Sequence, residues 1–168
     1  MNNTSIIKSS TSISELSKTA LVASLYVVVT VFLAVISFGA IQLRLSEMLN
    51  YLALYHKRYV IGVTVGVIIA NFASPTWFLD VPIGGVATFV VLMICRYATR
   101  NMQNMKLKMV ITALIFAASM FTVALQLYVL ADLPFWETWL FVGIGELLSM
   151  TVGGITIYLI SKRINLYK

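Results

Sequence analysis

The chain has 168 residues, of which 60% are hydrophobic and 11% charged, with a mean hydropathy of +0.94. A soluble domain is nearer a quarter charged, so this composition excludes one and describes a single integral membrane domain, in which a net charge of +6 reflects cytoplasmic loops rather than nucleic-acid binding. One cysteine (Cys95) and one histidine (His56) exclude a disulfide framework and a Cys/His metal site, and no G-x-x-x-x-G-K-[ST] loop is present to hold ATP.

Residues 1–19, MNNTSIIKSSTSISELSKT, are polar and Ser/Thr-rich. They lack the short apolar run and small-residue cleavage site of a signal peptide and are predicted to form a cytoplasmic tail. A helix needs roughly 20 residues to cross about 30 Å of hydrocarbon, and residues 20–41 supply a first span. Residues 43–55 and 59–73 are each short and read as one span or two. Residues 82–97, 109–131 and 135–160 supply three more, and residues 162–168 a C-terminal tail.

Charge selects between the two counts. If both short segments cross, the inner side holds Lys8, Lys18, Lys57, Arg58, Arg96, Arg100, Lys106, Lys108, Lys162, Arg163 and Lys168. That is every basic residue of the twelve except Arg44. A single crossing would put the 96–108 cluster opposite the N-terminus. The positive-inside rule therefore predicts an all-α polytopic protein with six transmembrane helices over residues 20–161 and both termini cytoplasmic. The two short helices then start within the membrane and leave a dip on the outer face. Trp77, Trp136 and Trp139 fall at outer ends, where an aromatic belt is expected, and Pro75, Pro82 and Pro134 punctuate the later outer loops.

On this topology the remaining polar groups collect in the outer half. Gln42, Arg44, Glu47 and Asn50 start helix 2, Asn71 ends helix 3, and Asp80 lies in the loop before helix 4. Gln126 is near the outer end of helix 5. Asp132, Glu137 and Glu146 belong to the last outer loop and upper helix 6. A charge at bilayer depth costs about 2.5–3.5 kcal/mol on insertion scales, so such groups face a cavity or a partner. Arg44 and Glu47, at i and i+3, share a helix face, and pairing with each other is one reading of them. Glu146, behind Gly143 and Gly145, is the deepest acid; an interhelical hydrogen bond is its structural alternative. Asn71 and Gln126 fit interhelical bonding equally, and Asp132 and Glu137 read as solvated loop residues. The cluster has the character of an outward-facing pocket for a small polar molecule. One carboxylate suits a guanine-like N1–H and exocyclic amine, a second an ammonium, and an arginine a carbonyl oxygen. Trp77, Phe78, Tyr128, Trp136 and Trp139 are either a stacking face or interfacial anchors.

The stretch QLRLSEML (42–49) resembles the QFRISEAL-like signature of the queuosine-precursor S-components (QueT family) of energy-coupling-factor (ECF) transporters. NFASPTWFLDVPIGGVATF (71–89) is similar to that family's outer loop into helix 4, and LPFWETWLFVGIGEL (133–147) to its last loop and the start of helix 6. The resemblance implies a multi-pass protein of the bacterial cell membrane that binds a deazapurine queuosine precursor, preQ1 foremost. It implies a transmembrane coupling protein and two cytoplasmic ATPases as partners, no cofactor in this chain because the ATPases use the ATP, and release of substrate by toppling in the membrane. Ala20 and Ser24 hold the spacing of the family's A-x-x-x-A partner contact on helix 1, with Ser in place of the second Ala. Where the family carries an Asn and an acid on helix 5, this chain has Ser119 and Gln126, which leaves preQ1, preQ0 and queuine open. Three other readings compete. They are an S-component for another vitamin or purine-like nutrient, an intramembrane enzyme using Glu47 or Glu146 as a base, and an assembly subunit without ligand. No nucleophile–base pair supports the enzyme, and the buried acids would be an unexplained cost in a ligand-free subunit.

Overall fold

The computed structural model describes residues 3–38 and 43–167, and among them there is no strand. Helix α1 (Asn3–Phe32) is followed by a turn of helix, α2 (Ala34–Ser37), and by a 3-10 helix (Leu45–Leu54). Then come α3 (Arg58–Asn71), α4 (Trp77–Leu79), a π-helical turn (Asp80–Gly84) and α5 (Gly85–Thr99). Helices α6 (Met105–Ser119), α7 (Phe121–Ala131) and α8 (Phe135–Ser161) complete the bundle.

Four helical stretches are long and apolar enough to cross a membrane: Ile13–Phe32, Trp77–Thr99, Met105–Ala131 and Phe135–Ser161. The two predicted short spans are helical but belong to a different class. Helix α3 has 14 residues, about 21 Å at 1.5 Å per residue. The 10-residue segment before it gains length by winding as a 3-10 helix. At about 2.0 Å per residue it covers about 20 Å, where an α-helix would cover about 15 Å.

Two further expectations are corrected. Asp80 does not lie in a loop before a helix; it opens the π turn inside the continuous stretch Trp77–Thr99. Pro82 explains the wide turn, because its ring lacks an N–H and clashes with the carbonyl four residues back in a regular α-helix. The predicted span 109–131 is helical but interrupted at Met120. There Ser119 Oγ donates to Phe116 O at 2.7 Å, Thr122 Oγ1 to Ser119 O at 3.0 Å, and Trp139 Nε1 of α8 to Ala118 O at 3.1 Å. Side chains that take carbonyls from the helical ladder bend it. Helix α1 extends back from the first span through the polar residues 3–19.

The core lies where α1, the 3-10 helix, α3, α5 and α8 meet, around Tyr26, Tyr51, Val63, Val67, Leu92 and Met150, each 2% exposed or less. Two close approaches set its geometry. Gly66 of α3 lies against Tyr26 of α1, and a Cβ there would stand 2.7 Å from the Tyr26 Cβ; Gly62, one turn earlier, meets Thr19 O in the same way. Gly153 of α8 lies against Met48 of the 3-10 helix, where a Cβ would come within 2.1 Å of the Met48 Cβ. Small residues at such crossings let backbones approach closely. At the basic end, buried Arg58 pairs with Glu15 and donates to Tyr167 O at 3.4 Å, while Arg96 donates to Ala53 O. These contacts join α1, α3, α5 and the C-terminal residues at one end and leave the acids Glu47 and Glu146 deeper in the bundle.

Candidate functional site

Glu47 and Glu146 are the two buried acids, 7% and 2% exposed. Glu47 sits in the first turn of the 3-10 helix, which the Gly153 crossing presses against α8. Its Oε1 accepts from Tyr26 Oη at 2.5 Å, and its Oε2 accepts from Asn50 Nδ2. Asn50 is three residues on, so the three-residue repeat of a 3-10 helix stacks the two side chains. The next contact upward is between Thr30 and Ser46, whose hydroxyls lie 2.6 Å apart.

Glu146 of α8 interacts electrostatically with both Glu47 and Arg44. Among the described residues its Oε1 is buried without a hydrogen-bond partner, as are Asn50 Oδ1 and Ser149 Oγ. Ser149 is three residues beyond Glu146 and shares its helix face. Buried polar atoms are nearly always paired, so acceptors left open on the 3-10 helix and α8 mark a place for a donor-rich group.

Arg44 does not pair with Glu47. It caps the 3-10 helix with an extended backbone, and that turn directs its side chain away from the helix face. Its Nε donates to Ser37 O and its Nη1 to Asn71 Oδ1, both at 3.3 Å, and its guanidinium lies over the Phe38 ring. Asn71 in turn donates from Nδ2 to Asp80 O at 2.7 Å. Asp80 receives Ser74 Oγ and, at 2.6 Å, Thr76 Oγ1 on its Oδ2. Arg44, Asn71 and Asp80 thus form a polar chain tying α2, the end of α3 and the π turn together.

Of the expected site residues, Arg44, Glu47, Asn50, Asn71, Asp80 and Glu146 fall into these two linked clusters. Gln42 lies outside the described residues. Gln126 lines a separate apolar groove with Leu79, Ile83 and Val129. Trp77 is 51% exposed and stacks on Phe72; Trp136 is 72% exposed and packs with Phe135 and Trp139. The exposed tryptophans therefore have the placement of interfacial anchors. Asp132 and Glu137 are exposed. Ala20 and Ser24 are also exposed, on the side of α1 opposite buried Val22, Ala23 and Tyr26. Sequence reasoning missed Tyr26, Thr30 and Ser149. The available signal was a tyrosine and a threonine one turn apart inside an apolar span, where a polar tip needs a partner.

The QueT transporter family model matches residues 16–163 of the chain. The queuosine precursor transporter QueT of Lactococcus lactis subsp. cremoris (strain MG1363) is 41% identical over 156 residues, covering 88% of this chain and 92% of the relative. No solved structure matches the chain.

Proposed function

Since the chain belongs to the QueT transporter family, we propose that it is the substrate-binding S-component of an ECF-type importer, taking up a queuosine precursor, preQ1 foremost. It is a multi-pass protein of the cell membrane and a transporter rather than an enzyme. In this reading both termini are cytoplasmic, the two short helices cross with the four long ones, and the carboxylates face the outer half. The chain uses no cofactor of its own. A transmembrane coupling protein would dock on the Ala20/Ser24 face of α1, and two cytoplasmic ATPases would supply the energy.

The observation that carries the proposal is the pair of buried carboxylates with open acceptors beside them. A 7-deazaguanine offers an N1–H and an exocyclic amine on one edge, and preQ1 adds an ammonium. Glu146, Asn50 and Ser149 provide acceptors for such donors, and Glu47 is held in place by Tyr26 and Asn50. Arg44 and Asn71 act as positioning residues that tie the start of the 3-10 helix to α2 and to the end of α3. Charged hydrogen bonds of this kind contribute about 1.5–3 kcal/mol each.

The test is a calorimetric titration of the purified chain with preQ1, preQ0, queuine, guanine and a panel of vitamins. PreQ1 is expected to bind most tightly. A vitamin binding more tightly would reassign the substrate, and no binding by any compound would reject the binder altogether.

A further inference from the structure

We propose that the groove between α6 and α8 seats an anionic phospholipid, one acyl chain lying along it and the headgroup phosphate resting on Lys106 and Lys162. The groove has a volume of about 470 Å³ and is lined by Val110 and Leu114 of α6 and by Leu147, Thr151, Ile155 and Leu159 of α8. Val110, Leu114, Ile155 and Leu159 are each more than half exposed. From Leu147 to Leu159 it runs about 18 Å along α8, close to the roughly 15 Å depth of one leaflet's hydrocarbon.

Its mouth is cationic. The Lys106 Nζ lies 5.5 Å and the Lys162 Nζ 4.8 Å from the centre of the Tyr158 ring. Among the described residues neither ammonium has a carboxylate within 4.0 Å. Two cations gathered on one ring without an acid, at the end of an apolar furrow one leaflet deep, complement a headgroup phosphate whose chain enters the furrow. A net anion is favoured over a zwitterion, whose own ammonium would be repelled. Basic pockets between transmembrane helices select anionic headgroups in this way. A partner helix would fill the furrow as well but would have to bring its own acids to the same two lysines. This inference needs only a membrane-spanning chain and does not depend on the identity of the transported substrate.

The test is native mass spectrometry of the full chain in detergent, titrated with phosphatidylglycerol or phosphatidylcholine of identical acyl chains, and with inorganic phosphate as a competitor. Phosphatidylglycerol should be retained about tenfold more than phosphatidylcholine. The double variant Lys106→Gln/Lys162→Gln should abolish that preference, and Lys106→Arg/Lys162→Arg should keep it. Thr151→Trp, which fills the groove from an exposed position, should weaken both lipids, while preQ1 binding stays unchanged throughout. Equal retention of the two lipids by the parent, or a preference that survives the Gln variant, would overturn the proposal. Displacement of phosphatidylglycerol by equimolar phosphate would reduce the site to a phosphate site without a chain and reject it as a lipid seat. If Thr151→Trp left lipid retention intact but released the coupling subunit from the assembled transporter, the groove would belong to a protein.

Discussion

Replacing Glu146 by glutamine keeps the shape of the side chain, removes the ionisable carboxyl and puts an amide in its place. The carboxyl is 2% exposed, and its Oε1 has no hydrogen-bond partner among the described residues. Apo stability should therefore hold or rise, because an unpaired buried polar group is itself a cost. Ligand binding should fall. A hydrogen bond to a charged group contributes about 1.5–3 kcal/mol, which is about tenfold to 150-fold in affinity. The assay is thermal unfolding in detergent with and without preQ1, backed by calorimetry. At a preQ1 concentration of about 100 times the parent Kd, ligand stabilises the parent by about 2.7 kcal/mol. A variant tenfold weaker retains about 1.4 kcal/mol at that concentration. If Glu146 meets the ammonium of preQ1, the loss shrinks for preQ0, whose nitrile is uncharged. A Glu146→Gln protein that binds preQ1 within twofold of the parent would refute the role of this acid in the pocket, and a fall in apo stability beside that unchanged affinity would make the acid structural.

Asp80→Asn should lower stability by about 1–2 kcal/mol, since its carboxylate holds Ser74 and Thr76, while changing preQ1 affinity less than about threefold; denaturation and titration measure the two separately. Gly66→Ala forces α1 and α3 apart at the Tyr26 crossing and should cost about 1–3 kcal/mol; it should weaken preQ1 binding as Tyr26→Phe does, by moving the hydroxyl that holds Glu47, and unchanged affinity in both variants would show that Glu47 needs no such support. Ser24→Trp on the exposed face of α1 should block assembly with the coupling protein in co-purification and leave substrate binding intact; the reverse pattern would show that the face is misassigned. Gln103→Cys, in the connection between α5 and α6, should resist an impermeant thiol reagent added to intact cells, with Cys95 silent because it is buried; rapid labelling would reject the six-helix topology.

Composition and apolar run length were enough to read the membrane class, the helical content and the three later spans. Hydrocarbon thickness dictates run length, so these features can be read along the chain. The short middle segments were legible as apolar and polar-marked but not as helices of a given type. A 3-10 and an α-helix differ by fractions of a residue per turn, too little for ten residues to display.

The sequence by itself determined which groups must avoid lipid: Arg44, Glu47, Asn50, Asn71, Asp80 and Glu146 were all marked as needing partners. Only the tertiary structure decided which partner each one has. Arg44 and Glu47 at i and i+3 suggested a pair, yet an extended backbone at the cap sends the arginine to Asn71 and Ser37, and Glu47 turns to Tyr26 and Asn50. Tyr26 lies 21 residues from Glu47, and no local period connects them. They meet because Gly66 lets α1 approach α3 and Gly153 lets the 3-10 helix approach α8. Hydrophobic run length is a property of one segment against lipid and can be read along the chain. Hydrogen-bond pairing depends on the distance and rotation between segments, and those are set by the few small residues at which backbones touch.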